Sequence, residues 1–234
     1  MTMSPDSHRN PAGPAVSSGS LAMLRQPLVH YGAKAADVVV QLAKGRGATR
    51  VLPIVTSSLL ANPIVKATLD ALGASALPVF HELKPHTPFD TVLALIETIG
   101  QTHPDLVLVF GGGSAIDAAK IGCLAASAGV RDHDALLGLR SVPDSQGVSQ
   151  PSPGTRSLPI IAIPTTLSAA EFGIIGGATD IKTGVKHLFK SDTLAPDVIV
   201  YDPCLGAQSP LDLWLATGIR SVGHGIETVL SRDA

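Results

Sequence analysis

The stretch Phe110-Gly111-Gly112-Gly113-Ser114-Ala115-Ile116-Asp117-Ala118-Ala119-Lys120 carries the clearest chemistry in the sequence. An apolar run passes into three glycines and then directly into a helical pattern. Glycine lets the backbone turn sharply and lets a ligand reach the amides without meeting a Cβ. Ser114 as N-cap, with Asp117 three residues on, matches a Ser-x-x-Asp capping box. The free N–H groups and the positive end of the helix dipole then face whatever lies over the loop, which favours a phosphate. Lys120, one turn further on, is either an auxiliary contact or a solvated side chain. The stretch matches neither G-x-G-x-x-G nor G-x-x-x-x-G-K-[ST], so a tight strand-to-helix turn with no ligand is the competing reading.

A second constellation lies near the C-terminal end. Arg220 and His224 are four residues apart and therefore share a helix face. The plain alternative is that Arg220, His224 and Glu227 form the wet side of an amphipathic helix, with Leu211, Leu215, Val222, Ile226 and Val229 opposite. Gly218, Gly223 and Gly225 count against it, since each costs about 1 kcal/mol relative to Ala in a helix interior. Close approach of a backbone or a ligand would explain them. Thr165, Thr166 and Ser168 follow an apolar run and taken alone are turn hydroxyls. Lys186 taken alone is a surface lysine. Cys123 and Cys204 form no C-x-x-C pair and read as small buried hydrophobes.

The elements that position these residues alternate. Residues 50–56 read as a buried strand, with Pro53 a mild objection. Asn62-Pro63 opens a helix that Gly73 stops. A short strand is expected at 77–80, and Thr87-Pro88 starts a helix whose face is Phe89, Val92, Leu93, Ile96 and Ile99. Residues 105–110 form a continuous apolar strand, and the helix after the glycines runs to about Ala128. Residues 131–157 are polar and rich in Pro, Ser and Gly, as expected of a flap or mobile insertion. Strands follow at 158–163 and 197–202, and Ser209-Pro210-Leu211-Asp212 opens the last helix as a capping box. This alternation predicts an α/β fold, with a mostly parallel sheet covered by helices on both faces.

Composition narrows the function. Lys and Arg number 17 against 19 Asp and Glu, a net charge of −2, with 15% charged residues. Nucleic-acid binding calls for a basic excess, which is absent. No apolar run reaches the ~20 residues of a membrane span, and residues 1–22 carry no signal-peptide core and read as a disordered tail. A cytoplasmic location is the default. One Trp, two Tyr and five Phe leave an aliphatic core.

GGGSAIDAAK resembles the pyrophosphate-binding signature of the iron-containing alcohol dehydrogenase family, which shares its fold with glycerol dehydrogenase and dehydroquinate synthase. PDLVLVFGGGS, IPTTLSAAEFG, GVKHLFKSDTLAPDVIVYDP and SPLDLWLATGIRSVGHGIE resemble further family segments in the right order, over roughly residues 25–230. The resemblance implies a Rossmann-like NAD(P)-binding domain over residues 23–205 and the start of a truncated helical domain over 206–234. It implies NAD or NADP, with Gly111, Gly112, Gly113 and Ser114 on the pyrophosphate, and Thr165, Thr166 and Ser168 along the adenine and ribose. Lys186 matches a lysine near the cofactor. NAD-preferring members carry an acidic residue where Ser57 stands, so NADP is expected to be tolerated.

Many members bind Fe²⁺ or Zn²⁺ through an Asp and a His four apart, plus two later histidines. Here the pair is Arg220 and His224, and a guanidinium has no lone pair to offer. The wording is closest to the maleylacetate-reductase-like branch. The expected activity is hydride transfer between NAD(P) and an alcohol, a carbonyl or an unsaturated keto-acid. Arg220 would bind a dicarboxylate, His224 would orient it or relay a proton, and no metal is expected. A homodimer is expected by family. The alternatives are a non-catalytic nucleotide-binding fragment, and a lyase or glycerol-phosphate-type dehydrogenase on the same scaffold.

Overall fold

The computed structural model describes residues 27–142 and 157–230. Five parallel strands make the central sheet: β1 (Leu28–Tyr31), β2 (Val51–Val55), β3 (Leu106–Gly111), β4 (Ile160–Pro164) and β7 (Val198–Tyr201), in the order β1-β7-β4-β3-β2. Between β4 and β7 the chain makes an antiparallel hairpin of β5 (Ile175–Asp180) and β6 (Val185–Lys190). The helices are α1 (Ala35–Gly45), α2 (Pro63–Leu72), α3 (Phe89–Thr102), α4 (Gly113–Ser127), α5 (His133–Gly138), α6 (Pro203–Gly206) and α7 (Leu211–Leu230).

All six residues of β3 are buried, as a strand covered on both faces requires. Leu106, Leu108 and Phe110 pack with Val38 and Val39 of α1 and with Val65 and Leu72 of α2. Val107 and Val109 face the other way, against Leu95 and Ile99 of α3 and Ile116 and Ala119 of α4. The helices that follow β2 and β3 therefore leave on opposite faces of the sheet. The C-terminal ends of those two strands form a switch point, the place at which open α/β sheets hold ligands.

Several local expectations are met. Asn62 caps α2 by accepting from the Ile64 N–H at 2.9 Å, and Gly73 ends the helix at φ +55°. Pro53 sits within β2 without breaking its ladder to β3. Its carbonyl accepts from Phe80, so the missing N–H falls on the side of residues 76–80. That segment makes only isolated parallel bridges to β2, at Ala76 and Phe80, in place of the expected strand.

Other expectations are corrected. The stretch 131–157 does not open as a loop, because α5 forms with Asp132 accepting from the Ala135 N–H and Leu136 buried against α3; residues 143–156 lie outside the described residues, as does the tail 1–22. β1, α1 and the β5–β6 hairpin were not legible in the sequence. Ser209 does not cap α7, since its hydroxyl donates to the Thr165 carbonyl at 2.6 Å. Cys123 is buried, and burial pushes its thiol pKa up, whereas Cys204 is exposed on the short α6. No described helix is long and apolar enough to cross a membrane.

Candidate functional site

At Gly111 the backbone turns with φ +152°, and an added Cβ would run into Thr56 Oγ1 and lie 2.7 Å from Ala115 Cβ. A Cβ on Gly112 would stand 2.8 Å from Thr166 Cγ2, and one on Gly113 would stand 3.0 Å from Ser168 Oγ. Gly111 and Gly112 thus leave no room for a Cβ and Gly113 only a tight fit, and the neighbours are mainly hydroxyl-bearing side chains that follow β2 and β4. Packing alone accounts for Gly111 and Gly112.

The helix start carries the anion argument. Ser114 is not the N-cap: that position is Gly112, extended and without a side-chain cap. Ser114 instead lies in the first turn, its Oγ accepting from the His86 N–H at 3.3 Å. Asp117 does not close a capping box, because its carboxylate accepts from Gly177 N–H on β5 at 3.1 Å. Among the described residues the N–H groups of Gly113 and Ser114 meet no acceptor. Thr166 Oγ1, buried beside them, has no partner either. These free donors at the positive end of a four-turn helix suit a phosphate.

Lys120 follows neither of its two expected readings. It is fully buried, and its Nζ donates to the carbonyls of Ala170 at 2.8 Å and Ile175 at 2.5 Å. Burial lowers its pKa to about 8, against the opposing pull of Asp117 and Glu171. Asp117, 3.9 Å away, is held above the usual carboxylate range by burial, which outweighs the nearby lysine charges.

The remaining expected residues divide. Thr165 is buried, and its N–H donates to the Gly111 carbonyl at 3.0 Å, tying the end of β4 to the glycine turn. Ser57 stands at the end of β2 with its hydroxyl donating to the His81 carbonyl at 2.9 Å. Lys186, exposed on β6, lies over Gly177, its Nζ 3.1 Å from where a Cβ on that glycine would stand. Gly111, Gly112, Gly113, Ser114, Ser57, Thr165, Thr166 and Ser168 thus gather at the ends of β2, β3 and β4.

Arg220 and His224 stand apart from that group. Both are exposed, and no residue of α7 is buried. The helix meets the Thr165–Ser168 segment through Leu167, whose N–H donates to Thr217 Oγ1 at 3.1 Å and whose carbonyl accepts from Ser221 Oγ at 3.2 Å. His224 lies seven residues beyond Thr217, hence on the same side of the helix. The close approach expected of the helix glycines occurs at Gly218, where a Cβ would lie 3.3 Å from Leu167 Cδ1; around Gly223 and Gly225 nothing described lies within 4 Å. Among the described residues no three His, Cys, Asp or Glu side chains are grouped to hold a metal. Arg220 has no lone pair to offer a metal, and Glu227 follows His224 by three residues on the same helix.

Sequence reasoning missed a pocket of about 660 Å³ beyond Thr166, lined among others by Tyr31, Leu167, Tyr201, Asp202 and Trp214. Both tyrosines and the single tryptophan of the chain border it. Tyr201 donates to Glu171 Oε1 at 2.5 Å, while Glu171 Oε2 is buried without a partner. Burial and that carboxylate hold the Tyr201 hydroxyl well above its ordinary pKa. Also missed was the dipeptide His86-Thr87, with φ of 62° and 49°, clipped to Ser114 on one side and Thr179 on the other. Two successive non-glycine residues in the left-handed region mark stored strain beside the glycine turn.

The sequence profile described as iron-containing alcohol dehydrogenase matches residues 27–203. The chain belongs to that family. Dehydrogenase FUM7 of Gibberella moniliformis is 30% identical over 214 residues, covering 89% of this chain and 50% of that protein. Maleylacetate reductase of Burkholderia cepacia is 25% identical over 209 residues, covering 89% of this chain and 50% of that protein. Among solved structures, sulfoacetaldehyde reductase from Bifidobacterium kashiwanohense in complex with NAD⁺ superposes with a TM-score of 0.73 at 26% identity, over 86% of this chain and 51% of that one. The chain therefore spans about half the length of these iron-containing alcohol dehydrogenase family relatives, and the matched half contains the glycine turn.

Proposed function

We propose that this chain is the nucleotide-binding part of an NAD(P)-dependent oxidoreductase. The observation that carries the reading is the pair of unpartnered N–H groups at Gly113 and Ser114, at a switch point, in a chain of this family. Bound there, the nicotinamide cofactor supplies a hydride to a carbonyl or accepts one from an alcohol. Gly111–Ser114 receive its diphosphate on backbone amides. Thr165, Thr166 and Ser168 line the adenosine side, with the buried Thr166 hydroxyl free to bond. The pocket bordered by Tyr31, Tyr201 and Trp214 offers aromatic faces for a planar base. Ser57 leaves the ribose 2′ position without a carboxylate, so NADP is accepted alongside NAD. Lys186, on the rim, contributes positive charge toward the cofactor.

The substrate class follows from α7. Arg220 provides a planar fork able to pair a carboxylate bidentately. It also offers positive charge to a carbonyl oxygen on which negative charge develops. His224, one turn away, orients the substrate or relays its proton. An unsaturated keto-dicarboxylate of the maleylacetate type fits this chemistry, and a homodimer is the assembly proposed.

Two experiments test this. Paired titrations with NAD⁺ and NADP⁺ should both saturate, and a large preference for NAD⁺ contradicts the role given to Ser57. In a full-length family enzyme carrying the GIRSVGHGIE helix, NAD(P)H oxidation by a keto-dicarboxylate should survive a chelator. Activity lost on chelation and restored by Fe²⁺ or Zn²⁺ contradicts the role given to Arg220.

A further inference from the structure

A fully buried lysine is an expensive core residue, and a Met of similar length would fill the same space without desolvating a charge. Lys120 nevertheless sits at the centre of α4 with no exposed surface. Its ammonium reaches out of the helix to two backbone carbonyls on another segment, at Ala170 and Ile175. That segment begins with the residues that close over the glycine turn. Thr166 packs on Gly112, Ser168 packs on Gly113, and Ala170 Cβ lies 3.8 Å from the Cβ position of Gly113. Between them Ala169 is held at φ +56°, a conformation an alanine adopts only when its surroundings impose it. The hydrogen bond of the Phe172 N–H to the Ala169 carbonyl makes the same segment a tight turn.

Lys120 is thus bonded to the residue that follows Ser168 and Ala169 and to the start of β5, tying the segment over the glycines to the hairpin. Two further polar contacts lie around Lys120. Asp117 pairs with Lys120 and fixes Gly177 of β5, while Glu171 accepts from Tyr201 at the pocket wall. We propose that Lys120 is a positioning residue for the nucleotide site. By holding the Ala170 and Ile175 carbonyls it seats the 165–170 segment on the glycine turn, and it sets the position of the Thr166 and Ser168 hydroxyls. This rests on the nucleotide-binding reading above, but its structural half is testable without a nucleotide.

The experiment combines two measurements on the 234-residue chain and its Lys120→Met variant. Amide hydrogen exchange without nucleotide should show at least tenfold faster exchange confined to residues 165–177, with Tm close to that of the parent chain. Calorimetric titration with NAD⁺ should then show at least tenfold weaker binding by the variant. Unchanged exchange in that segment, or unchanged affinity for NAD⁺, overturns the proposal. Faster exchange throughout the sheet together with a fallen Tm also overturns it, since Lys120 would then be an ordinary core residue. If the parent chain binds no nucleotide, the nucleotide reading fails by itself. The exchange pattern then decides whether Lys120 seats the segment. Should Lys120→Met not fold, Lys120→Gln, which keeps an N–H donor on a shorter stem, is read by the same criteria.

Discussion

Thr166 occupies the space that a side chain on Gly112 would need: its Cγ2 lies 2.8 Å from that Cβ position, and its hydroxyl is buried without a partner. The end of β4 and the turn after β3 are therefore fitted to each other at van der Waals contact. The one polar atom at that contact is left free to bond elsewhere.

Replacing Gly112 with Ala should break the fit. Overpacking of this kind costs about 1–3 kcal/mol, and nucleotide affinity should fall at least tenfold (about 1.4 kcal/mol). Thermal melts and titrations of Gly112→Ala measure both. Adding Thr166→Ser removes the clashing methyl, so the double variant should regain stability. If Gly112→Ala is as stable as the parent chain and binds NAD⁺ as tightly, the packing argument fails.

Lys120 makes stability depend on pH in a defined direction. Its folded pKa is about 8 against the ordinary lysine value of 10.5, so the unfolded chain holds the extra proton between those values. Stability relative to Lys120→Met should therefore rise as pH increases from about 8 to about 10.5, by at most about 3 kcal/mol. Denaturant melts of both chains across that range check the slope. A difference that stays flat or falls contradicts a Lys120 pKa lowered by burial.

The pair His133–Asp180 predicts a different window. His133 Nε2 and Asp180 Oδ1 are 3.0 Å apart, and the carboxylate also accepts from Lys182 N–H and from Thr183 Oγ1. The hydrogen bond to Asp180 raises the His133 pKa above 6.5, so its contribution is complete below that value and fades as pH climbs through the folded pKa. The bond to His133 lowers the Asp180 pKa from 3.8 to about 2, so its contribution holds above 3.8 and is lost as pH falls toward 2. His133→Asn should therefore destabilise most between about pH 4 and 6.5 and least in alkali. Equal destabilisation at pH 5 and pH 9 would show that the pair does not titrate as described.

Arg220→Ala should leave stability within about 0.5 kcal/mol, because the side chain is exposed. In a full-length family enzyme with this helix, the same change should raise KM for a keto-dicarboxylate at least tenfold while sparing a neutral aldehyde. Equal losses for both substrates would remove the carboxylate role.

What was legible in the sequence, and what was not, follows the range of the interactions involved. β2, β3 and β4 announce themselves as apolar runs, and α2 by its Asn62-Pro63 start, because those signals are local. The glycine turn was legible as a strand-to-helix junction, but the reason for its glycines was not. Thr56, Thr166 and Ser168 come from other strands, and only the folded sheet places them against Gly111, Gly112 and Gly113. Ser114 and Asp117 matched a capping box by spacing, yet tertiary partners, the His86 and Gly177 N–H groups, claim both side chains. Lys120 was misread for the same reason, since nothing near it in the chain foretells the Ala170 and Ile175 carbonyls. β1 is only four residues long, and the pocket formed by Tyr31, Tyr201 and Trp214 draws on residues far apart in the chain.

The central claim is that the amides opening α4 bind the diphosphate of a nicotinamide dinucleotide. Calorimetric titration of the folded chain with NAD⁺ and with NADP⁺ tests it most directly. The account predicts a saturable one-to-one isotherm for each, with Kd between about 1 μM and 1 mM, weakened at least tenfold in Gly112→Ala. Absence of saturable heat with both nucleotides up to several times that upper limit, from material that melts cooperatively, would contradict it.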